Sequence, residues 1–423
     1  MWPDHPAVEA DAGILTYAEL DAEATTAARR LVALGVAPGD RVATTLTPGL
    51  EFAALLHALP RIGAALVPLN TRLPADGQRR QRQLAGARLV IESPMVDGFE
   101  ADVPVARDLD PDAVHTVLFT SGTSGEPKPV ELTVANHEAA AAASAAVLNL
   151  GPGDRWLAPL PLFHVGGLAI LIRTARAGAT AVLAKRFESG SVRAGLEAGE
   201  YTLASVVATQ VRRLRDAGLE HAPGLRALVL GGGPVPPDLL DWARDRRIPV
   251  RSTYGMTETT SQVAVTEPWG EAAAPLPGAE LAIAPDQEIL VRGPMVAPGA
   301  LRPDGWLHTG DVGRIGRDGR LKVQGRLTDL IISGGENVAP ASVEATLIAH
   351  PAVVDAGVAG VPDEQWGEAV TAYVVERHPV SDYELLAFCR ERLAGYQVPK
   401  AIVRVQALPR NAAGKLLRSQ LQA

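Results

Sequence analysis

The sequence predicts an α/β fold with largely parallel sheets, and three observations carry that reading. Through the first 250 or so residues, amphipathic helical stretches alternate with short apolar runs rich in Val, Ile and Leu. Between Glu280 and Gly325 the rhythm changes to short β-like pieces such as EILVRG and RLKVQG, separated by DG and PG turns, which suggests a small β region. After Arg326 a βαβ pattern returns. A chain of 423 residues is too long for one compact core, so two to three domains are expected.

The elements follow in order. Leu20, Ala24, Ala27, Leu31 and Leu34 recur at helical spacing and predict a helix over Tyr17–Leu34. Thr16 and Glu19 form a T-x-x-E capping box, and Gly35 ends the helix. RVATTL reads as a strand, Leu50–Leu59 as a second helix, and Ala64–Leu69 as another strand. Val114–Phe119 is a short apolar strand, and the alanine-rich stretch Ala139–Val147 reads as a helix too short to cross a bilayer. Further on come a strand at Ala227–Leu230, a glycine loop, a helix and a strand at Val250–Thr253. The last stretch reads DLIIS, a helix over Ala341–Ala349, VVDAGVAGV, TAYVVE and a helix over Asp382–Leu393, with a domain boundary near Arg326–Asp329.

Bulk properties exclude several classes. A net charge of −8 gives no footprint for nucleic acid. One cysteine, Cys389, allows neither an internal disulfide nor a cysteine zinc cluster, and suits a reducing cytosol. The N-terminal MWPDHPAVEADAG lacks the basic and apolar regions of a signal peptide, and no run reaches bilayer length. A cytoplasmic protein with no transmembrane segment is expected.

Five motifs carry chemistry. Thr120–Val130, TSGTSGEPKPV, places Thr120, Ser121, Thr123, Ser124, Gly122, Gly125 and Lys128 after a strand. Successive amides in a glycine-rich turn cradle an anion, and the hydroxyls and ammonium add donors and charge. The spacing is not that of a Walker A loop. Tyr254–Glu258, YGMTE, offers an aromatic face, a hydroxyl and a carboxylate suited to Mg²⁺; a strand-end turn capped by Thr257 is the plainer alternative. WLHTGDVG sets Asp311 in a turn that suits ribose hydroxyls, or an ordinary Asx turn. GRLTDLIISGGENV contains Arg326 and the permissive pair Gly334 and Gly335. PRNAAGK brings Lys415 near the C-terminal end.

Together, TSGTSGEPK, YGMTE, TGD, GRLTDLIISGGE and PRNAAGK stand in the order found in the acyl-adenylate-forming (AMP-binding) superfamily, which the chain resembles over nearly its whole length. The resemblance implies a large N-terminal domain, residues 1–326, of layered βα subdomains plus a small β-barrel-like region. It also implies a small mobile α+β domain, residues 327–423. The implied activity is ATP-dependent acid–CoA ligation through an acyl-adenylate, with Mg²⁺ as cofactor and CoA as co-substrate. The Thr120–Lys128 loop would hold the β- and γ-phosphates, Tyr254 would stack on adenine beside Gly233, Gly255 and Met256, and Thr257 would contact the α-phosphate. Glu258 would hold Mg²⁺, and Asp311 and Arg326 would bind ribose. Lys415 would bridge carboxylate and α-phosphate. Rotation about Thr328, where many relatives carry Asp or Lys, would then bring Gly334 and Gly335 to the CoA tunnel.

Within the superfamily, LPLFHVGGLAILIRTARAG, LGGGPVPPDLLDWARDRRIPV, YGMTETTSQ and DEQWGE look like the o-succinylbenzoate–CoA ligases of menaquinone biosynthesis. The acid would be an aromatic dicarboxylate flanked by His164, with Gly231 and Gly232 leaving room for a ring and Thr209 and Gln262 nearby. Arg173 is the candidate partner of the second carboxylate, with a solvated helix residue as the alternative. Ligases of another aryl or medium-chain acid share these segments. Pro129, where the family usually has glycine, keeps a weakened nucleotide-binding homologue in view. A homo-oligomer is left open.

Overall fold

The computed structural model describes residues 2–94, 98–121, 127–233, 235–410 and 416–421. The chain divides into two compact units. The first comprises Met1–Gly232, Arg244–Leu281 and Val291–Leu307; the second comprises Gly233–Ala243, Ala282–Leu290 and His308–Ala423.

The first unit contains two sheets. One has the strand order Leu89–Ile91, Arg41–Thr44, Ala65–Pro68, Val114–Ser121, Pro127–Thr133. Its first three pairings are parallel and the last is an antiparallel hairpin. The other runs from Gly13–Thr16 and Pro6–Ala10 through Thr180–Leu183, Arg155–Ala158, Leu203–Val206, Ala227–Leu230 and Val250–Met256 to Ser261–Thr266 and Ala273–Pro275. Its centre is parallel and both ends are antiparallel. Central strands such as ALVL and LASV are buried throughout, as strands covered on both faces must be.

The helices answer to their sequence signals. Helix Tyr17–Ala33 begins at the expected box: Glu19 N donates to Thr16 Oγ1 and Thr16 N donates to Glu19 Oε2. It buries Leu20, Ala24, Ala27 and Leu31, but Leu34 is the C-cap and is exposed. Gly35 follows at φ +84°, the left-handed region that releases a helix. The second predicted helix is α-helical over Leu50–Ala58 and tightens to a 3₁₀ turn over Leu59–Ile62, where Pro60 cannot donate to an α-helical ladder. The alanine-rich helix is longer than predicted, Val134–Leu148, because Thr133 and Asn136 form a second capping box ahead of the alanines.

The small β region, most of which belongs to the second unit, consists of strands Glu288–Arg292, Leu307–Ile315 and Leu321–Arg326, neighbours in that order, with Glu280–Ile283 beside the first. The second unit's other sheet has the order Glu336–Val338, Ile331–Ser333, Gly367–Glu376, Val353–Asp363, with Ala401–Arg404 parallel to Gly367–Glu376. The strand–helix–strand order expected after Arg326 is present as Ile331–Ser333, helix Pro340–Ile348 and Val353–Asp363. Both strands pair antiparallel with Gly367–Glu376, which lies between them, so they run parallel to each other. Val353–Asp363 and Gly367–Glu376 are joined by a three-residue connection, too short for a parallel crossover. Helix Pro340–Ile348 packs Val343 and Leu347 into the core that also holds Val358, Val370, Leu385 and Cys389. Among the described residues no helix is long and apolar enough to cross a membrane.

Candidate active site

Thr120 and Lys128 lie opposite each other near the turn of the hairpin Val114–Ser121/Pro127–Thr133. Gly122, Thr123, Ser124 and Gly125 lie outside the described residues, as does the side chain of Ser121. The two prolines that bracket Lys128 have a physical place. Pro127–Thr133 is the edge strand of its sheet, and Pro127 and Pro129 share one parity of the pleat. A residue whose N–H points away from the partner strand loses no ladder bond when it is proline. Lys128 is extended and exposed, with no ion pair among the described residues. Pro129 thus occupies a position that an edge strand tolerates.

The YGMTE segment is built by a close strand crossing. Strand Val250–Met256 continues past Thr253 to pair antiparallel with Ser261–Thr266, and a 3₁₀ turn, Thr257–Thr259, joins them. A Cβ on Gly255 would lie 1.8 Å from the Ser261 carbonyl oxygen, so only glycine fits. Met256 takes the cap position in place of Thr257, its N–H donating to Thr259 Oγ1 at 2.9 Å. Thr260 and Ser261 follow at φ +51° and +93°, two consecutive non-glycine residues in a region such residues rarely adopt. Strain of this kind persists only where surroundings impose it, and here Thr260 Oγ1 donates to Met295 O.

The same neighbour strip reaches the backbone of Glu258. Ala297 N donates to the Glu258 carbonyl at 2.8 Å, and Asn136 Nδ2 donates to Pro294 O and Val296 O. The Glu258 side chain is half-buried and pairs with no cation among the described residues. A half-buried hard oxygen donor without a partner fits Mg²⁺, which takes one or two carboxylates and fills its remaining positions with phosphate and water. Asn136 was not singled out in the sequence; its signal was the T-x-x-N box at 133–136.

In the second unit, Asp311 and Arg326 are direct cross-strand partners, with Arg326 Nε 2.7 Å from Asp311 Oδ1. Gly310, at φ +69°, turns the chain just before Asp311. Buried Glu288 holds that turn, accepting from Gly310 N and pairing with His308 Nδ1, both at 2.7 Å. Asp311 N donates to Thr309 Oγ1, whose hydroxyl donates to Ile289 O. The carboxylate is therefore presented by a fixed turn and a fixed arginine. Glu288 escaped sequence reasoning because its partners lie about 20 residues away.

The predicted acid-site residues divide. His164 is the N-cap of helix Val165–Ala177, stacked edge-on against Phe163 at 4.7 Å. The wall around the ring, and then the Arg72 charge, lower its pKa, although part of the residue is open to solvent. Thr209 is exposed in the first turn of helix Ala208–Asp216. Gly231 sits against Thr253 Oγ1, which a Cβ would meet at 3.1 Å, and Gly232 is at φ +84°. Nothing lies within 4 Å of a Cβ at Gly233. Gln262 is buried, directly opposite Gly255, and donates to Ser144.

Arg173 is the exception. It lies nine residues beyond His164 on one helix, about 14 Å along the axis at 1.5 Å per residue. The helix therefore holds the two at opposite ends. Nor is Arg173 a solvated helix residue, since only 2% of it is exposed.

The C-terminal motifs lie together in the second unit. Thr328 is exposed in a 3₁₀ turn, Leu327–Asp329. Gly334 and Gly335 both adopt positive φ, and Trp366 packs 3.1 Å from where a Gly334 Cβ would stand. Lys415 lies outside the described residues, but its flanks do not. Arg410 and Leu416 form an antiparallel bridge, and Leu417 N donates to Pro409 O. Arg410 grips Asp355 through both carboxylate oxygens, while Arg418 bonds Asp329 at 2.6 Å and Glu344 at 2.8 and 2.9 Å. Burial pushes the Glu344 carboxyl up, against the Arg418 charge and the Val358 amide that favour its anion. Arg418, too, was missed in the sequence.

Comparison with known proteins agrees with this architecture. The AMP-binding enzyme profile matches residues 1–301, and the AMP-binding enzyme C-terminal domain matches residues 342–415. A 2-succinylbenzoate–CoA ligase of Bacillus licheniformis is 41% identical over 465 aligned positions, covering 100% of this chain and 97% of that one. Among solved structures, o-succinylbenzoate CoA synthetase (MenE) of Bacillus subtilis with the acyl-adenylate intermediate OSB-AMP superposes with a TM-score of 0.91 at 36% identity, covering 100% and 96% of the two chains. ATP-bound MatB of Rhodopseudomonas palustris gives 0.89 at 27% identity, covering 99% and 95%. A mixed α/β chain with a large N-terminal and a small C-terminal domain, carrying these motifs in this order, belongs to the AMP-binding enzyme family.

Proposed function

We propose that the protein is an AMP-forming acid–CoA ligase that converts o-succinylbenzoate to its CoA thioester through an acyl-adenylate, a step of menaquinone biosynthesis. The observation that carries this reading is similarity along the whole chain to 2-succinylbenzoate–CoA ligases, at 36–41% identity. Use of ATP and CoA supports a cytoplasmic site of action.

The chemistry must bring a carboxylate onto a polyanionic phosphate. Unit charges 4 Å apart interact by about 1 kcal/mol in water but about 4 kcal/mol at an effective dielectric near 20. Enclosed cationic groups therefore supply most of the stabilisation. Thr120, Lys128 and the intervening loop grip the β- and γ-phosphates, and Thr257 contacts the α-phosphate. Glu258 would hold Mg²⁺, whose charge offsets that of the phosphates. Tyr254 stacks on adenine, while the Asp311–Arg326 pair binds ribose. Lys415 bridges the attacking carboxylate and the α-phosphate. The C-terminal domain, residues 327–423, then turns about Thr328, bringing Gly334 and Gly335 to the CoA tunnel so that one chain serves both half-reactions. His164, Thr209, Gly231, Gly232 and Gln262 line the acid site. Arg173 remains a candidate for the second carboxylate only if the acid reaches far along its helix.

The test is a mass-spectrometric screen for thioester formation with ATP, CoA and a panel of acids. Preference for o-succinylbenzoate is expected; equal use of benzoate or medium-chain acids overturns the substrate assignment. Lys415→Ala should abolish pyrophosphate release while sparing thioester formation from pre-made acyl-adenylate. Equal loss of both half-reactions would remove Lys415 from its assigned step.

A further inference from the structure

Strand Glu288–Arg292 and the residue before it hold both flanks of Asp311. Thr309 Oγ1 donates to Ile289 O at 2.7 Å, Gly310 N to Glu288 Oε1 at 2.7 Å, and Gly313 N to Gln287 O at 3.1 Å. The outer two of these anchors are backbone carbonyls. The middle one is a side-chain carboxylate, and it falls where Gly310 turns the chain at φ +69°. Nothing stands within 4 Å of a Cβ built on Gly310, so backbone conformation rather than crowding selects glycine there.

A carboxylate is costly to enclose, and Glu288 is only 6% exposed. A glutamine would also accept from Gly310 N. The carboxylate adds a second acceptor and carries no donor of its own. That second oxygen, Oε2, takes His308 Nδ1 at 2.7 Å. Both oxygens are thus committed to the run that leads into Asp311, one and three residues ahead of it. Asp311 is 7% exposed, with Arg326 Nε 2.7 Å from its Oδ1. So little of this carboxylate reaches the surface that a small rotation of the turn decides what it presents.

We propose that Glu288, latched by His308, is a positioning residue that sets the Gly310 turn and thereby the affinity of Asp311 for ribose hydroxyls. It touches no nucleotide itself and acts through the turn alone. The inference deepens the proposed function and rests on its assignment of Asp311 to ribose; it is independent of which acid is used.

Calorimetric titration of the full chain with MgATP and with the magnesium complex of 2′,3′-dideoxy-ATP tests it without any acid present. The unaltered protein should prefer ATP by about tenfold, because the dideoxy nucleotide lacks both ribose hydroxyls. Glu288→Ala should weaken ATP by about that factor and leave the dideoxy nucleotide almost unchanged, so the preference disappears. A merely structural role would weaken both nucleotides alike; that result, or a preference kept in Glu288→Ala, overturns the proposal. Glu288→Gln should keep most of the preference, since its amide oxygen still accepts from Gly310 N and its N–H meets the other imidazole tautomer of His308. Should Glu288→Ala fail to fold, Gly310→Val disturbs the same turn with Glu288 in place and should reproduce the loss. Gly310→Asn, which tolerates the left-handed region, should spare it. Full preference for ATP in Gly310→Val overturns the proposal. Failure of the ribose assignment looks different: the unaltered protein would itself bind the two nucleotides equally.

Discussion

Arg418 shows how much one side chain decides near the C-terminal end. It bonds two carboxylates from separate elements: Asp329, beside the proposed hinge residue Thr328, and the nearly buried Glu344 on helix Pro340–Ile348. It lies three residues beyond Lys415, so it fixes the descending limb of that loop. Replacing Arg418 with Met keeps the apolar stem and removes the charge. Glu344 is then left enclosed without its cation, a change that costs about 3 kcal/mol. A urea or thermal denaturation curve measures that loss. The functional expectation is more specific. If Arg418 positions Lys415, adenylation should slow at least tenfold with little change in KM for CoA, while thioester formation from supplied acyl-adenylate continues. Equal loss in both half-reactions would leave Arg418 a stabilising residue only. Arg418→Lys should restore part of the rate, since a point charge replaces one bond of the fork.

At the scale of elements, the alanine-rich helix does more than fill a layer. Its capping residue Asn136 bonds Thr133 N at one end of its amide and the carbonyls of Pro294 and Val296 at the other. The strip at 294–297 in turn holds the Glu258 carbonyl through Ala297 N. Asn136→Ala strands two buried carbonyls and a cap amide, so a stability loss of about 2–3 kcal/mol is expected. The loosened strip should also raise KM for MgATP severalfold with kcat less affected. An unchanged KM in a folded variant would detach this helix from the proposed magnesium site. These links also mark what could be read in the sequence. Thr16–Glu19, the strand Ala227–Leu230 and each of the five motifs were visible because each depends on residues within a few positions of one another. The antiparallel pairing at 353–376 was not announced by the sequence pattern, because strand direction depends on pairing, which periodicity does not encode. Glu288, Asn136 and Arg418 escaped because their partners stand some 20 to 160 positions away. The left-handed Thr260 and Ser261 carried no glycine to announce them.

At the scale of the whole molecule, a set of histidines limits the pH range in which the first unit stays folded. His115 and His137 are almost fully buried, with rings edge-to-face at 5.0 Å, and His57 has an enclosed Nε2 without a hydrogen-bond partner among the described residues. Burial lowers the pKa of His57 to about 3, reinforced by the His115 and Arg61 charges. Burial lowers His115 to about 4, against the bond it makes with the Leu56 carbonyl. Burial again, then His115 and Arg173, holds His137 well below its ordinary value. The charges facing the cluster in these interactions are all cationic, so none of them favours a proton on any ring. In the unfolded chain each histidine titrates near 6.5. Below that pH the unfolded state takes up protons that the folded state refuses, so stability falls as pH falls. Stability from the three is fully present above about pH 7. It declines by about 1.4 kcal/mol per pH unit for each histidine between roughly pH 6 and pH 4.5. With two to three contributing, the slope is about 3–4 kcal/mol per unit, enough to unfold a domain of ordinary stability near pH 4.5–5. Urea midpoints between pH 7.5 and pH 5 measure this directly. His137→Gln should flatten the slope by about one proton, whatever it does to stability at pH 7.5. A midpoint that stays constant from pH 7 to pH 5 would mean that the folded protein binds these protons after all, by admitting water or an anion to the cluster.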